Sequence, residues 1–245
     1  MIDLELDKTY RRGSTGPKVT LIQEWLCLND FNAVIDGDFG PATKRAVKRF
    51  QEARGLDVDG EVGPLTFGEL VAPMKAALKP IARNGLSLGQ MTAAYATQHV
   101  RQHPREVGGQ NRGPWVRLYM KGMQGLESPW CAGFACYILN QACETVGVPL
   151  PLAVSFSSSA LAASAKQKGI FLKGSPADVS PKVLPGNLFL VRGGPTGWKH
   201  TGIVIEPLAD VFNSIEGNTN DEGSNEGYEA CQRVRNYADK DFILI

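Results

Sequence analysis

Two cysteines, Cys131 and Cys136, stand five residues apart in the stretch SPWCAGFAC, residues 128–136. Ser128 suits an N-cap and Pro129 a first helical position, so a helix is predicted from SPW towards Gly147, with Cys131 in its first turn. There a thiolate meets unpaired backbone N–H groups and the positive end of the helix dipole, which lower its pKa and make it a nucleophile. Cys136 lies about 140° further round the helix and receives little of either effect. Cys131, Phe134, Ala135, Ile138, Leu139, Ala142 and Val146 also form one apolar stripe. By itself a cysteine heading such a stripe reads as packing. A nucleophile requires a base, and the chain has three histidines. His99 and His103, at i and i+4 in HVRQH, are spaced as zinc ligands on one helix face, but no glutamate follows the first and no third ligand is evident. His200 lies in GWKHTGIVIEP, an alternating β-branched run that predicts a strand. Glu216 and Asn218, alternate residues of VFNSIEGNTN, are two candidates for the acceptor that fixes the imidazole tautomer.

These groups must be positioned by a helix and a sheet. Residues 185–194, the His200 run and 211–220 read as three sequential strands joined by short turns, which predicts an antiparallel sheet. A cysteine-bearing helix followed by a histidine-bearing sheet is a papain-like layout. The fold class expected is therefore α+β: a small N-terminal three-helix domain, then a helix packed on an antiparallel sheet.

The N-terminal domain is legible from an internal repeat. DGDFGPAT at 36–43 returns as DGEVGPLT at 59–66, 23 residues later, each copy a turn feeding a helix with proline near its first position. PKVTLIQEWLCLNDF, ATKRAVKRFQEARGL and TFGELVAPM supply three helices around one small core, with Cys27 among its neighbours. Gly16, Val19, Ile22-Gln23, Asp36 to Thr43, Ala46-Val47, Phe50-Gln51, Gly55-Leu56 and Asp59 to Thr66 meet the pattern of the type 1 peptidoglycan-binding domain, which this stretch closely resembles. The resemblance implies a three-helix module that docks on bacterial cell wall. The predicted boundaries are 1–72 for this domain, 73–92 for a Pro- and Gly-containing linker, and 93–245 for a second domain, which opens with a helix stopped near His103 by Pro104.

In that second domain, the ordered pieces EVGGQNRGPWVRLYMKG, SPWCAGFACYIL, LPGNLFLVRG, KHTGIVIE and IEGNTN are similar to the CHAP family of cysteine- and histidine-dependent amidohydrolases and peptidases, and more remotely to NlpC-type peptidases. The resemblance implies Cys131 as nucleophile, His200 as its partner, and Glu216 or Asn218 as the orienting acceptor. It further implies attack of the thiolate on an amide carbonyl, with backbone N–H groups at the helix start stabilising the oxyanion. Gln124 is a further candidate oxyanion donor. The sequence departs from the family at Asn187, where aspartate is usual, and at Lys199, where glycine precedes the histidine. MKGMQGLES has no counterpart of an acidic calcium loop, so no metal and no cofactor are expected.

Composition limits the alternatives. The 245 residues are 43% hydrophobic and 21% charged with a net charge of +1, which provides no field to gather nucleic acid or an anionic membrane. No apolar run is long enough to span a bilayer, and MIDLELDKTYRRGS does not read as a secretory signal. Five cysteines, an odd count with no CxxC-like spacing, suit free thiols in a reducing compartment. The expectation is a monomeric peptidoglycan hydrolase of endolysin type, an endopeptidase or N-acetylmuramoyl-L-alanine amidase. It would be made in the bacterial cytoplasm and reach the wall by holin-type or dedicated-secretion release. The alternatives are a secreted antibacterial amidase effector, a non-catalytic wall-binding or virion protein, and a zinc peptidase using His99 and His103.

Overall fold

The computed structural model describes residues 2–174, 182–194, 197–220 and 227–245. The chain begins with helices α1 (Pro17–Leu28), α2 (Pro41–Ala53) and α3 (Pro64–Leu70), each entered through a glycine and opened by proline. Trp25, Leu26, Phe39, Val47, Phe50 and Val62 fill the space between them and are wholly buried. One device is used twice. The Nε2 of Gln23 reaches Asp36 Oδ1 at 2.8 Å and Thr43 Oγ1 at 3.0 Å, while its Oε1 accepts from Gly37 N at 2.8 Å. The Nε2 of Gln51 reaches Asp59 Oδ1 at 2.7 Å and Thr66 Oγ1 at 3.1 Å, and its Oε1 accepts from Gly60 N at 2.9 Å. Each buried glutamine thus ties one Asp-Gly turn to the helix before it, which is why the repeat preserves Asp, Gly and Thr together.

The segment expected as a linker with room for a short helix holds one helix and the start of another. Helix α4 (Ala72–Leu78) buries Met74 and Ala77, and α5 (Leu88–Val100) begins before residue 92. The start of α5 is set by a capping box: Ser87 Oγ accepts from Gln90 N and Gln90 Oε1 accepts from Ser87 N. The helix ends at Val100, and His103 follows in a left-handed conformation with φ 50°. Then come α6 (Pro114–Tyr119), α7 (Cys131–Val146) and α8 (Ser158–Gln167).

The sheet has six strands, β1 (Phe171–Leu172), β2 (Leu188–Arg192), β3 (Trp198–Pro207), β4 (Val211–Thr219), β5 (Glu229–Asn236) and β6 (Lys240–Ile243), in the order β1-β6-β2-β3-β4-β5 with every pairing antiparallel. The three strands read from sequence are β2, β3 and β4, and they are neighbours. Helix α7 packs across β3 and β4, while α8 packs on β3 and β1.

Half-buried cations tie the N-terminal helices to the rest. Arg117 of α6 donates to Glu24 Oε2 at 2.6 Å and Asp3 Oδ2 at 2.8 Å, and Arg105 donates to the Leu28 carbonyl at 3.0 Å. Replacing Gln51 by leucine removes four hydrogen bonds and strands the Gly60 N–H. It is expected to cost about 2–4 kcal/mol, read as a lowered urea midpoint for loss of the α2–α3 core.

Candidate active site

Helix α7 begins at Cys131 itself, with Trp130 as the N-cap residue, rather than at Ser128. The cause is Trp130. Its indole stacks on Tyr119 with centroids 5.5 Å apart and planes 9° off parallel, and its Nε1 donates to Glu106 Oε1 at 2.9 Å. Glu106 is held in turn by the Asn111 N–H at 2.7 Å. The loop before α6 therefore anchors the tryptophan and delays helix entry by two residues. Cys131 becomes the first helical residue, and the first helical bond recorded at this end runs from Phe134 N to Trp130 O at 2.8 Å. The amides of Cys131, Ala132 and Gly133 have no partner within the helix.

His200, on β3, is fully buried and its Nε2 lies 2.8 Å from Glu216 Oε2 on β4. Among the described residues its Nδ1 has no N or O hydrogen-bond partner. Because Glu216 occupies Nε2, Nδ1 is the ring nitrogen left to serve the nearby Cys131 thiol. Gly202 makes the arrangement possible: a Cβ there would lie 2.7 Å from Glu216 Cγ. Ser158, at the start of α8, completes the polar surroundings of Cys131 with its Oγ 4.0 Å from Sγ.

Electrostatics favour charge at both partners. Burial opposes the Cys131 thiolate, but interaction with His200 and hydrogen bonds from the Thr201 N–H and Ser158 outweigh it, so the thiol lies below its ordinary pKa. Burial likewise opposes the His200 imidazolium, yet Cys131 and Glu216 raise it to about 9. Glu216 falls to about 2 despite its burial because Arg235 and His200 bind it. The contrast with Cys136 is direct: burial pushes that thiol up, and its Sγ donates to the Ser155 carbonyl.

Arg235, on β5, was not legible as a site residue. Its Nε donates to Glu216 Oε1 at 2.8 Å and its Nη2 to Oε2 at 2.7 Å, while Ser214 Oγ adds a 2.6 Å bond to Oε1. Residues 229–236 carry no strand prediction from the sequence, and nothing in EACQRVRN singles out one arginine. Asn218 is not brought to His200 by a hydrogen bond. The β4–β5 register shifts between Glu216 and Thr219, and Asn218 has φ 55°, so the expected alternation with Glu216 is broken. Its amide is buried, and neither polar atom has a partner among the described residues.

Other expectations are corrected. Gln124 Oε1 accepts from Arg117 Nη1 at 2.9 Å and from Gly113 N at 3.1 Å, which ties this end of its amide to α6. His99 is buried, with Nδ1 2.9 Å from Tyr119 Oη and Nε2 2.8 Å from Gln141 Oε1; burial drives its pKa down to about 4. With both its nitrogens engaged, and His103 beyond the helix end and 2.7 Å from Glu229, the two do not form a zinc pair. Among the described residues no group of three His, Cys, Asp or Glu is placed to hold a metal. Asn187 caps a turn, its Oδ1 accepting from Leu184 N at 2.9 Å.

Comparison with known proteins places the N-terminal helices. Residues 15–70 match the family described as "Putative peptidoglycan binding domain". The zinc D-Ala-D-Ala carboxypeptidase of Streptomyces albus G is 64% identical over 65 residues, 25% of this chain and 26% of that protein. An uncharacterized protein of Kitasatospora aureofaciens is 56% identical over 36 residues, 15% of this chain and 30% of the relative. The chain thus spans less than a third of the length of the curated relatives it matches. Among solved structures, the SleB N-terminal domain is 38% identical, covering 27% of this chain and 93% of that one with a TM-score of 0.27. The Burkholderia AP3 phage endolysin is 30% identical, covering 44% of this chain and 41% of its own with a TM-score of 0.25. The N-terminal helices thus match a peptidoglycan-binding domain, and a mixed unit of helices and antiparallel sheet follows them. Among the described residues no helix is long and apolar enough to cross a membrane.

An NMR titration of the three histidines tests the electrostatics. His200 is expected to titrate near 9 and His99 near 4. Glu216→Gln removes a negative partner of the imidazolium, so the His200 midpoint falls towards the ordinary value of 6.5 while His99 stays in place.

Proposed function

We propose that the chain is a peptidoglycan hydrolase of endolysin type, with a CHAP-like, papain-like catalytic unit that cleaves an amide bond of the wall by a Cys-His-Glu mechanism. The observation that carries this reading is the division of labour at His200: Glu216 binds Nε2, while Nδ1 is left to a thiol whose pKa is lowered. A packing cysteine resembles Cys136, whose pKa is raised.

In the proposed reaction Cys131 Sγ attacks the amide carbon, and the carbonyl electrons move to oxygen, which receives hydrogen bonds from free N–H groups at the start of α7. The C–N bond then breaks as His200 gives its proton to the leaving amine, leaving a thioester on Cys131. Water attacks that thioester, losing a proton to His200, and the carboxylate product departs with the thiolate restored. Glu216 keeps the ring oriented and balances its charge throughout, and Arg235 holds Glu216. The N-terminal module supplies the address by keeping the enzyme on polymeric substrate, so that a second encounter is effectively intramolecular. Access to the wall would follow release through a holin or a dedicated secretion machine.

Digestion of purified sacculi by wild type, Cys131→Ala and EDTA-treated protein tests this. Wild type and the EDTA-treated sample are expected to release fragments alike, while Cys131→Ala loses at least a thousandfold in rate. Mass spectrometry of the new amino and carboxyl ends names the bond. Equal release by Cys131→Ala overturns the mechanism.

A further inference from the structure

Three consecutive serines, Ser157 to Ser159, stand at the entry to α8, and their hydroxyls do different things. Ser157 is the N-cap, its Oγ accepting from Ala160 N at 3.4 Å. Ser159 fastens the helix to β3: its Oγ accepts from Trp198 N at 3.0 Å and donates to the Trp198 carbonyl at 3.3 Å, two residues before His200. Ser158, the first residue of the helix, is left over. It is buried, and among the described residues its Oγ has Cys131 Sγ, 4.0 Å away, as its hydrogen-bond partner. Capping and docking thus account for two of the three hydroxyls and leave the third facing the thiol.

Cys131 is the first residue of α7 and Ser158 the first of α8, so two helix starts meet at the sulfur. Each brings amides without a partner inside its helix and the positive end of its dipole. Negative charge that arises beside Sγ is therefore flanked from both sides. In the resting pair the hydroxyl is only a loose neighbour of the sulfur, since a strong O–H donor bond to oxygen is about 2.7–2.8 Å long. An oxygen on the carbon that bonds to Sγ enters the space beside that hydroxyl, and a donor serves an oxyanion from about 2.7–3.1 Å. A buried hydroxyl with so long a resting contact gains most when such an acceptor arrives. An interaction that strengthens only as charge develops is the kind that accelerates a reaction.

We propose that Ser158 is a further catalytic residue, whose hydroxyl turns from the resting sulfur to the substrate carbonyl oxygen and completes, with amides at the start of α7, an oxyanion hole built from two helices. The assignment rests on Cys131 as the attacking group. The Ser158 O–H bond stays intact throughout. As the Sγ–carbon bond forms, the carbonyl electron pair moves to oxygen and the hydroxyl donates a hydrogen bond to it. When the C–N bond breaks and the carbonyl re-forms, that hydrogen bond slackens, and attack of water on the thioester calls on it a second time. Loss of the hydroxyl therefore slows acylation and deacylation without altering the thiol that starts them.

The test compares the full chain with its Ser158→Ala and Ser158→Thr variants in two assays. Turnover of solubilised peptidoglycan fragments gives kcat and KM, and the rate of iodoacetamide alkylation, read on the Cys131 peptide by mass spectrometry, reports the thiolate without any substrate. Ser158→Ala is expected to lose about a hundredfold in kcat at unchanged KM, while Cys131 alkylates within about twofold of the wild-type rate. Ser158→Thr keeps a hydroxyl and restores most of the turnover. Unchanged kcat in Ser158→Ala overturns the assignment. So does alkylation that falls in step with kcat, because the hydroxyl then serves the thiolate or its packing, and so does a Ser158→Thr variant that melts like wild type but turns over no faster than Ser158→Ala. Failure of the cysteine reading shows separately, as undiminished sacculus digestion by Cys131→Ala.

Discussion

The site depends on one buried carboxylate. Glu216 has no exposed surface, yet it binds His200 on one side and Arg235 on the other, with Ser214 on its remaining lone pair. An unpaired carboxylate at this depth would take up a proton, and a neutral acid could not hold an imidazolium. Arg235 is therefore as necessary to the arrangement as the groups nearer the thiol. Removing one partner from such a buried pair typically costs about 3–5 kcal/mol, because the other charge stays behind. With the thiolate included, charge alternates from Cys131 through His200 and Glu216 to Arg235, and the chain of four is neutral as a whole.

The remaining architecture keeps that chain in register. Strands β3, β4 and β5 are consecutive antiparallel neighbours, so His200, Glu216 and Arg235 reach one another across adjacent strands. Gly202 leaves room for the Glu216 stem, and Gly217 allows β4 to approach α7, where a Cβ would lie 2.7 Å from Phe134. On the helical side, the Trp130–Tyr119 stack determines where α7 begins and thus which residue occupies its first turn. The same α6 that bears Tyr119 bears Arg117, whose pairing with Glu24 and Asp3 fastens the peptidoglycan-binding helices. The N-terminal helices and the candidate site consequently share one structural element.

Much of this was legible in the chain, and the losses have physical causes. The Asp-Gly-Pro-Thr repeat exposed the N-terminal helices because the turn chemistry is local, and the β-branched alternation around His200 exposed β3 for the same reason. The start of α7 was misplaced because Ser128-Pro129 is a good local cap and the competing stack on Tyr119 is tertiary. The entry of α5 was missed although Ser87 and Gln90 form a capping box that spacing alone could have revealed. Asn218 and Glu216 looked equivalent as acceptors, since a break in strand register cannot be read from alternation. Arg235 stayed hidden because its role exists only once β5 lies beside β4.

The central claim is that Cys131 becomes covalently acylated during turnover. Mixing the full-length protein with solubilised peptidoglycan fragments, quenching in acid within the first turnovers and mapping the adduct by peptide mass spectrometry addresses this directly. The account predicts an acyl group on the peptide bearing Cys131 that is released by hydroxylamine, as a thioester is. Fragments cleaved with Cys131 unmodified at every quench time, or an adduct on a different residue, would contradict it.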